Sequence, residues 1–243
     1  MSPPRPARAG GAPYVHRGWR YVELRFREDV TQTRMLRWAP DWLQVGYTRT
    51  MLAALLLQPR PARIGIIGLG GGAQAKFCHR YLAPARIDVV ENEAGVLALR
   101  EAFRIPADDA RLQVVLGDGA AWLRAHRACF DLLLVDAYDL QGIPPALSTQ
   151  AFYRDCRAAL RPGGAMATNL YATDLRTHVL RLRRAFDGRA RVLEEPGMDN
   201  RVAFAWCEPR PATTPAQVLA GLPWLARRQL ARPMRRLAAA LSR

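Results

Sequence analysis

Three acidic residues each follow an apolar segment of the sequence, and each can bind or deprotonate a ligand. Glu91 follows the segment 86–90, Asp118 follows 111–117, and Asp136 ends the segment 130–136. A further acid, Asp139, lies three residues beyond Asp136. A carboxylate can accept both hydroxyls of a ribose, because it offers two acceptor oxygens. Two carboxylates near a cationic ligand could hold an amine and take its proton, which is general-base chemistry.

The same acids could instead have purely structural roles. Glu91 could be a solvated acid at the end of a strand. Asp136 and Asp139 could form a turn in which one carboxylate caps the backbone and the other is solvated. Their repeated position after successive apolar segments favours a shared ligand site.

A glycine-rich stretch, IGIIGLGGGA at 64–73, precedes all of these acids. Glycines such as Gly68, Gly70 and Gly72 permit positive φ and let a ligand pack against the main chain, beside a helix start with free N–H groups. The pattern also fits the GxGxxA fingerprint of dinucleotide-binding domains, so an NAD enzyme is one reading. The following GDG at 117–119 argues otherwise: Asp118 could accept from an adenine amine with the backbone of Gly119 beside the ring, which suits nucleoside-sulfonium binders.

Apolar strands alternate with amphipathic helices from residue 62 onward, which predicts a doubly wound α/β sheet with helices on both faces. The predicted strands are 64–68, 86–90, 111–117, 130–136 and 164–169. The predicted helices are 73–82, 93–103, 120–126, 148–160 and 174–186. A terminal antiparallel pair of strands is predicted over 190–195 and 201–207. Ligands of such sheets bind at the carboxyl ends of the strands. The acids should therefore share one edge of the sheet.

Four segments are predicted along the chain: a disordered basic N-terminus over 1–18, a small unit over 19–61, a Rossmann-like domain over 62–209 and a basic helical or disordered tail over 210–243. Alternation over 19–29 predicts a half-buried strand, with 33–38 as its hairpin partner. The segment 46–57 has helical length and composition.

The net charge of +15 comes mostly from the two ends of the chain. Residues 1–20 and 210–243 contain eleven arginines and no acid, and the body between them is nearly balanced. Solvated basic ends are the favoured interpretation, and nucleic-acid binding through these ends is the less favoured alternative. No apolar run is long enough for a membrane span, and the N-terminus has no apolar core of a secretory signal. Four scattered cysteines indicate free thiols, no metal site and a cytoplasmic location.

The ordered set of motifs resembles the spermidine synthase (polyamine aminopropyltransferase) family, especially its short bacterial relatives. The resemblance spans about residues 20–207 and rests on the glycine loop, VE at 90–91, GDG at 117–119, FDLLLVDAYD at 130–139, LSTQAFYRDC at 147–156, LRPGG at 160–164 and NLY at 169–171. It implies a class I methyltransferase fold preceded by a small β-rich domain. It also implies a homodimer that transfers an aminopropyl group from decarboxylated S-adenosylmethionine to an amine such as putrescine, leaving methylthioadenosine, with no metal.

The resemblance also implies roles for individual residues. Glu91 would bind the donor ribose, and Asp118 with Gly119 would bind the adenine. Asp136 would accept the proton of the attacking amine, and Asp139 would anchor that amine. Two further positions come from the N-terminal unit: Tyr47 matches the Tyr of the family's Tyr-His-Glu motif, and Gln32 matches a glutamine that contacts the donor.

Three departures from the family pattern leave alternatives open. Gly71 takes the place of a loop aspartate that holds the donor's amine, Thr48 replaces the histidine of the Tyr-His-Glu motif, and the DSxDP loop has become DAYDL. Losing a charge-assisted hydrogen bond costs on the order of 1.5–3 kcal/mol, enough to change substrate preference. An S-adenosylmethionine-dependent methyltransferase and a non-catalytic nucleoside-binding protein are the alternatives. A dehydrogenase ranks last, because the segment after 130–136 offers no acid suited to hydride transfer.

Overall fold

The computed structural model describes residues 12–27, 30–138, 142–208 and 213–242, and it begins with a small antiparallel sheet. Its strands are β1 (Tyr14–Arg17), β2 (Tyr21–Arg27) and β3 (Val30–Leu36), in that order. Val22 and Leu24 of β2 are buried, as the alternation predicts, but Glu23 between them is buried too, where it forms ion pairs with Arg25 and Arg34. The prediction of disorder over 1–18 is wrong for β1, which pairs with β2 along its whole length. Four residues carry too little periodicity to show such a strand.

An irregularity in the pairing of β2 with β3 falls at Gln32. Leu24 pairs with Thr33 and Arg25 pairs with Thr31, so Gln32 has no partner position on β2. An extra residue of this kind forms a β-bulge, which bends the strand and redirects side chains.

The main sheet has seven strands in the order β6-β5-β4-β7-β8-β10-β9. The strands are β4 (Arg63–Ile67), β5 (Arg86–Glu91), β6 (Leu112–Leu116), β7 (Phe130–Val135), β8 (Leu160–Leu170), β9 (Ala190–Glu194) and β10 (Arg201–Trp206). The first five are parallel, and β10 runs antiparallel to both β8 and β9. The predicted doubly wound fold with a terminal antiparallel pair is confirmed. The order reverses between β4 and β7, and such a switch point opens a crevice at the carboxyl ends.

Helices connect these strands and cover the sheet. They are α1 (Gly46–Met51), α2 (Ala73–Tyr81), α3 (Ala94–Leu97), α4 (Gly119–Ala125), α5 (Gln150–Ala159), α6 (Leu175–Ala185), α7 (Pro215–Ala220) and α8 (Trp224–Leu241), with 3₁₀ helices at Leu52–Leu56 and Pro145–Leu147. The helix predicted over 93–103 is wrong beyond α3, because the chain continues as turns to Arg104, whose φ is 51°. Gly95 within the segment and Pro106 just after it both disfavour a longer helix.

The basic C-terminal region is helical and packs onto the domain. Leu230, Met234 and Leu237 of α8 are fully buried and join the hydrophobic core that includes the 3₁₀ helix after α1. The arginines at 227, 228, 232 and 235 are exposed. The prediction of a solvated end is therefore correct for one face of α8 and wrong for the other.

Among the described residues, no helix is both long enough and apolar enough to cross a membrane. All four cysteines are free thiols, with Cys78 and Cys156 buried.

Candidate active site

The loops that follow β4, β5, β6 and β7 meet at one edge of the sheet. The amide of Gly68 donates to the carbonyl of Val90 at 2.9 Å, and the amide of Gly117 donates to the carbonyl of Glu91 at 2.9 Å. The amide of Asp136 donates to the carbonyl of Ile67, also at 2.9 Å. The glycine loop, Glu91, Asp118 and Asp136 are thus brought to the carboxyl ends of neighbouring strands, as the sequence predicts.

Glycine is required at two points of the loop. Gly68 has φ of 93°, and a Cβ at this position would overlap the backbone carbonyl of Asp136. Gly72 has φ of 66° and lies directly before α2. Both values lie in the left-handed region that L side chains rarely adopt. At Gly68 the loop therefore lies closer to the Asp136 backbone than a residue with a side chain would permit.

Glu91 ties the second strand to the glycine loop. Its Oε2 accepts from the amide of Leu69 at 2.8 Å and from that of Gly70 at 3.4 Å, and its Oε1 accepts from the amide of Glu93 at 3.0 Å. The side chain is buried. Oε2 uses both lone pairs on these amides, whereas Oε1 uses one, so the orientation is fixed while Oε1 keeps acceptor capacity for a ligand hydroxyl.

Asp118 lies at the start of α4, where it has a capping role. Its Oδ1 accepts from the amide of Ala121 at 2.7 Å, and the side chain is exposed. Gly119 packs closely against the sheet, since a Cβ there would lie 2.6 Å from Cγ2 of Ile67. Helix capping accounts for one oxygen of Asp118, and among the described residues no partner is seen for the other.

In the described part of the chain, three neutral side chains donate hydrogen bonds to Asp136. Asn169 Nδ2 donates to Oδ1 at 3.0 Å, Gln74 Nε2 donates to Oδ2 at 3.4 Å, and the Tyr47 hydroxyl donates to the same carboxylate. Burial raises the pKa of Asp136 to about 6, and the hydrogen bonds from Asn169 and Tyr47 oppose this rise. A carboxyl group with this pKa is ionised at neutral pH yet binds a proton far more readily than a solvated aspartate.

Tyr47 and Tyr138 remain neutral beside this carboxylate. Burial raises the pKa of both hydroxyls, and the negative charge of Asp136 raises each further. The Tyr138 hydroxyl donates to the carbonyl of Asn169 at 2.8 Å and accepts from the amide of Tyr171 at 2.8 Å. Tyr138 thus joins the loop after β7 to the loop after β8.

Several residues of this network escape prediction from the sequence. Gln74 lies in α2, Asn169 lies near the end of β8, and Asn200 donates from Nδ2 to Oδ1 of Asn169 at 3.0 Å. For Asn169 a signal exists, because it lies at the carboxyl end of a parallel strand. For Gln74 and Asn200 the sequence offers none.

The N-terminal unit reaches the glycine loop through Thr33. The amide of Gly71 donates to Thr33 Oγ1 at 3.3 Å. A Cβ on Gly71 would overlap Cγ2 of Thr33 and lie 3.0 Å from the ring of Phe103, so protein atoms occupy the space where the resemblance expects an aspartate side chain. The neighbouring bulge residue, Gln32, is partly buried, and its contact with the donor stays a prediction.

Two other expected positions have different outcomes. The hydroxyl of Thr48 donates to the carbonyl of Val45 at 2.7 Å, so this residue supports the start of α1. Asp139 lies outside the described residues. Within the described ranges, no group of three or more His, Cys, Asp or Glu is arranged to hold a metal ion.

Comparison with protein families places this site in a known context. Residues 45–182 match the model of the spermine/spermidine synthase domain. The chain belongs to the spermine/spermidine synthase family. The match contains the glycine loop, Glu91, Asp118, Asp136 and Asn169, and it confirms the resemblance seen in the motifs.

Curated relatives of the chain carry two kinds of name. The polyamine aminopropyltransferase of Chromobacterium violaceum is 35% identical over 176 residues, which cover 71% of this chain and 67% of the relative. The aligned part therefore spans about two thirds of that protein's length. The eEF1A lysine and N-terminal methyltransferase of Xenopus laevis is 30% identical over 172 residues, covering 63% of this chain and 25% of the relative.

Solved structures of this family and of methyltransferases share the fold. A probable spermidine synthase from Corynebacterium glutamicum superposes with a TM-score of 0.72 at 17% identity, covering 90% of this chain and 87% of that one. A spermidine synthase in complex with the transition state analogue AdoDATO has a TM-score of 0.63 at 18% identity and covers 91% and 89%. Human methyltransferase-like protein 13 in complex with SAH has a TM-score of 0.64 at 24% identity and covers 79% and 93%.

Proposed function

We propose that the chain transfers the aminopropyl group of decarboxylated S-adenosylmethionine to a small amine such as putrescine. The observation that supports this most is the environment of Asp136, a partly buried carboxylate among neutral donors at the carboxyl end of β7. The name polyamine aminopropyltransferase on a relative at 35% identity points the same way. A spermidine synthase of the same fold has been solved with a transition state analogue.

The described residues fit an adenosyl sulfonium donor. Gly68 packs the loop against the Asp136 backbone, Glu91 is oriented by backbone amides and keeps a lone pair on Oε1 for a ribose hydroxyl, and Asp118 has an exposed carboxylate for the adenine amine. The donor supplies a carbon beside a positively charged sulfur, which is open to displacement. The chain's own contribution is to hold the two reactants in line, and positioning of this kind can supply about 7–11 kcal/mol of rate acceleration.

Asp136 acts on the acceptor. A protonated amine cannot attack, since its nitrogen has no free electron pair. Asp136 takes that proton, the nitrogen pair forms the new C–N bond, and the C–S bond breaks with its electrons going to sulfur, which leaves neutral methylthioadenosine. The carboxyl pKa of about 6 suits this step, because the group is ionised at neutral pH and still a usable base. The predicted anchoring of the amine by Asp139 remains part of the proposal.

A methyltransferase using S-adenosylmethionine is the second candidate, and Gly71 favours it. Thr33 and Phe103 fill the space of the loop aspartate that would hold an amine, and a donor that retains its carboxylate has no use for an acid there. The similarity to an eEF1A lysine and N-terminal methyltransferase adds to this reading.

Product analysis separates the two candidates. The purified chain is incubated with each donor in turn, together with putrescine, and products are identified by mass spectrometry. Methylthioadenosine from the decarboxylated donor supports aminopropyl transfer, and adenosylhomocysteine from S-adenosylmethionine supports the alternative. Binding without either product, unchanged in Asp136→Asn, would identify a non-catalytic nucleoside-binding protein.

Three expectations from the sequence accompany the proposal. A homodimer is tested by light scattering on the purified chain. A cytoplasmic location rests on the free cysteines. Nucleic-acid binding by the basic ends would appear as a salt-dependent affinity that falls when residues 210–243 are deleted.

A further inference from the structure

The turn between β9 and β10, residues 195–200, contacts both sides of the Asp136 environment. At one end Glu195 contacts α1, the helix that carries Tyr47. At the other end Asn200 contacts Asn169. The amide of Glu195 donates to the carbonyl of Asn200 at 2.9 Å, which joins the two ends of the turn. One short segment is therefore linked to two of the three described side chains that donate to Asp136.

Glu195 fixes the position of α1. Its Oε2 accepts from the Thr50 hydroxyl at 2.6 Å, and its Oε1 lies so close to Gly46 that any Cβ there would overlap it. The helix has six residues, and its first turn contains neither a capping side chain from Val45 nor an acid. So short a helix depends on tertiary contacts for its position, and Glu195 provides one.

The C-terminal helix holds this turn in place. Arg236 of α8 lies with Nη1 at 3.5 Å from Oε2 of Glu195 and also donates to the carbonyl of Glu194. Gln229, two turns earlier in α8, accepts from the amide of Leu43 at 2.7 Å, in the segment that leads into α1. A helix outside the matched family domain thus anchors both the turn and the approach to α1.

Asn200 completes the link on the other side. It is buried, and its Nδ2 donates to Oδ1 of Asn169, which leaves the Asn169 Nδ2 facing Asp136. Because the amide of Asn169 has both ends hydrogen-bonded, its donor end cannot exchange with its acceptor end without losing both bonds.

We propose that this turn, secured by Arg236, is a positioning device that holds Tyr47 and Asn169 as hydrogen-bond donors to Asp136. Glu195, Asn200 and Arg236 are positioning residues, and none of them needs to touch a substrate. The inference rests on the proposed function only for its consequence in catalysis. The arrangement itself is tested through the proton affinity of Asp136.

The titration of Asp136 reports these donors directly. Among the described residues, the ionisable side chains that face it are Tyr47 from α1 and Tyr138 from its own loop, and both stay neutral because burial and Asp136 itself raise their pKa values. Hydrogen bonds from Tyr47 and Asn169 lower the pKa of Asp136. A variant that displaces either donor should therefore raise it.

The experiment is a carboxyl ¹³C NMR titration of the full chain with labelled aspartate, in which Asp136→Asn assigns the resonance. Glu195→Ala is compared with Glu194→Ala, its exposed neighbour, and Arg236→Met with Arg232→Met, an exposed arginine one turn earlier in α8. We expect the Asp136 midpoint to rise by about half a pH unit or more in Glu195→Ala and Arg236→Met, and to stay in place in both controls. Glu195→Gln should leave the midpoint close to its wild-type value, because an amide oxygen can still accept from Thr50.

Kinetics give the second readout. Loss of positioning should lower kcat by about tenfold to a hundredfold. The KM for the donor should change little, because Glu91, the proposed ribose ligand, lies on β5, which is not adjacent to β9 or β10. Equal Asp136 midpoints in the test and control variants would overturn the inference. If Glu195→Ala does not fold, the comparison of Arg236→Met with Arg232→Met decides it. An inactive wild type with a shifted midpoint in Arg236→Met would instead refute the proposed function and leave the positioning device supported.

Discussion

Asp136 directly follows β7, Asn169 lies near the end of the adjacent parallel strand β8, and the Asn169 amide donates to the Asp136 carboxylate at 3.0 Å. The other described donors to this carboxylate, Gln74 and Tyr47, are also neutral. An arginine or lysine here would hold the pKa of Asp136 below its ordinary value. With neutral donors burial prevails, and the carboxylate keeps enough proton affinity to act as a base.

Removal of the Asn169 amide should raise the pKa of Asp136. A lost hydrogen bond to a charged group corresponds to about one pH unit, so Asn169→Ala should move the acid limb of kcat/KM from about 6 toward about 7. The measurement is the pH profile of kcat/KM between pH 5 and 9. Thr168→Val, one residue earlier on β8, is the control and should leave the limb in place. An unshifted limb in Asn169→Ala would show that this bond does not tune the base.

Neutralisation of Asp136 should stabilise the fold at alkaline pH. The folded pKa of about 6 lies above the ordinary 3.8, so the folded chain binds more protons than the unfolded chain between these values and loses stability as pH rises through them. Asp136→Asn should raise the free energy of unfolding by on the order of 1–3 kcal/mol at pH 8 and by less at pH 5. Urea unfolding at both pH values measures this. A variant less stable than wild type at pH 8 would contradict it.

Glu91 should control affinity for the nucleoside. Glu91→Gln removes the charge that strengthens ribose hydrogen bonds, so we expect the Kd of methylthioadenosine or adenosylhomocysteine to rise about tenfold to a hundredfold. Isothermal calorimetry measures both ligands. Glu93→Gln is the matched control, because the Glu93 side chain accepts from the amide of Gly95 and caps α3. Equal affinities in the two variants would exclude Glu91 from the nucleoside site.

Thr33 should be the reason that Gly71 cannot carry a side chain. Gly71→Ala places a Cβ against Cγ2 of Thr33 and should lower the free energy of unfolding by about 1–3 kcal/mol. Thr33→Ser removes Cγ2 but keeps the Oγ1 that accepts from the amide of Gly71, so the double variant should recover much of this loss. A double-mutant cycle by urea unfolding measures the coupling. Additive effects would show that Thr33 is not the obstacle.

The sequence predicts those site residues whose position depends only on the order and direction of the strands. Glu91, Asp118 and Asp136 could be placed on one edge because parallel strands end together. Gln74, which donates to Asp136, and Asn200, which donates to Asn169, could not be placed there from the sequence. Their contacts depend on how α2 and the β9–β10 turn pack.

The same limit explains the errors in the fold. β1 exists because β2 offers it an edge, and four residues alone do not specify a strand. The turns after α3 keep Phe103 buried without a helix, so apolar spacing alone overestimated that element. The charge of the arginine-rich C-terminal region predicts a solvated tail, but the apolar stripe of α8 packs it against the core.

The most direct test of the central claim is single-turnover formation of methylthioadenosine from decarboxylated S-adenosylmethionine and putrescine, in wild type and in Asp136→Asn. The account predicts that the wild-type rate rises with pH to a plateau above about 6 and that Asp136→Asn lowers the plateau by about 10²–10⁴-fold. A wild-type rate that Asp136→Asn leaves unchanged, or methylthioadenosine absent while S-adenosylmethionine yields adenosylhomocysteine, would contradict it.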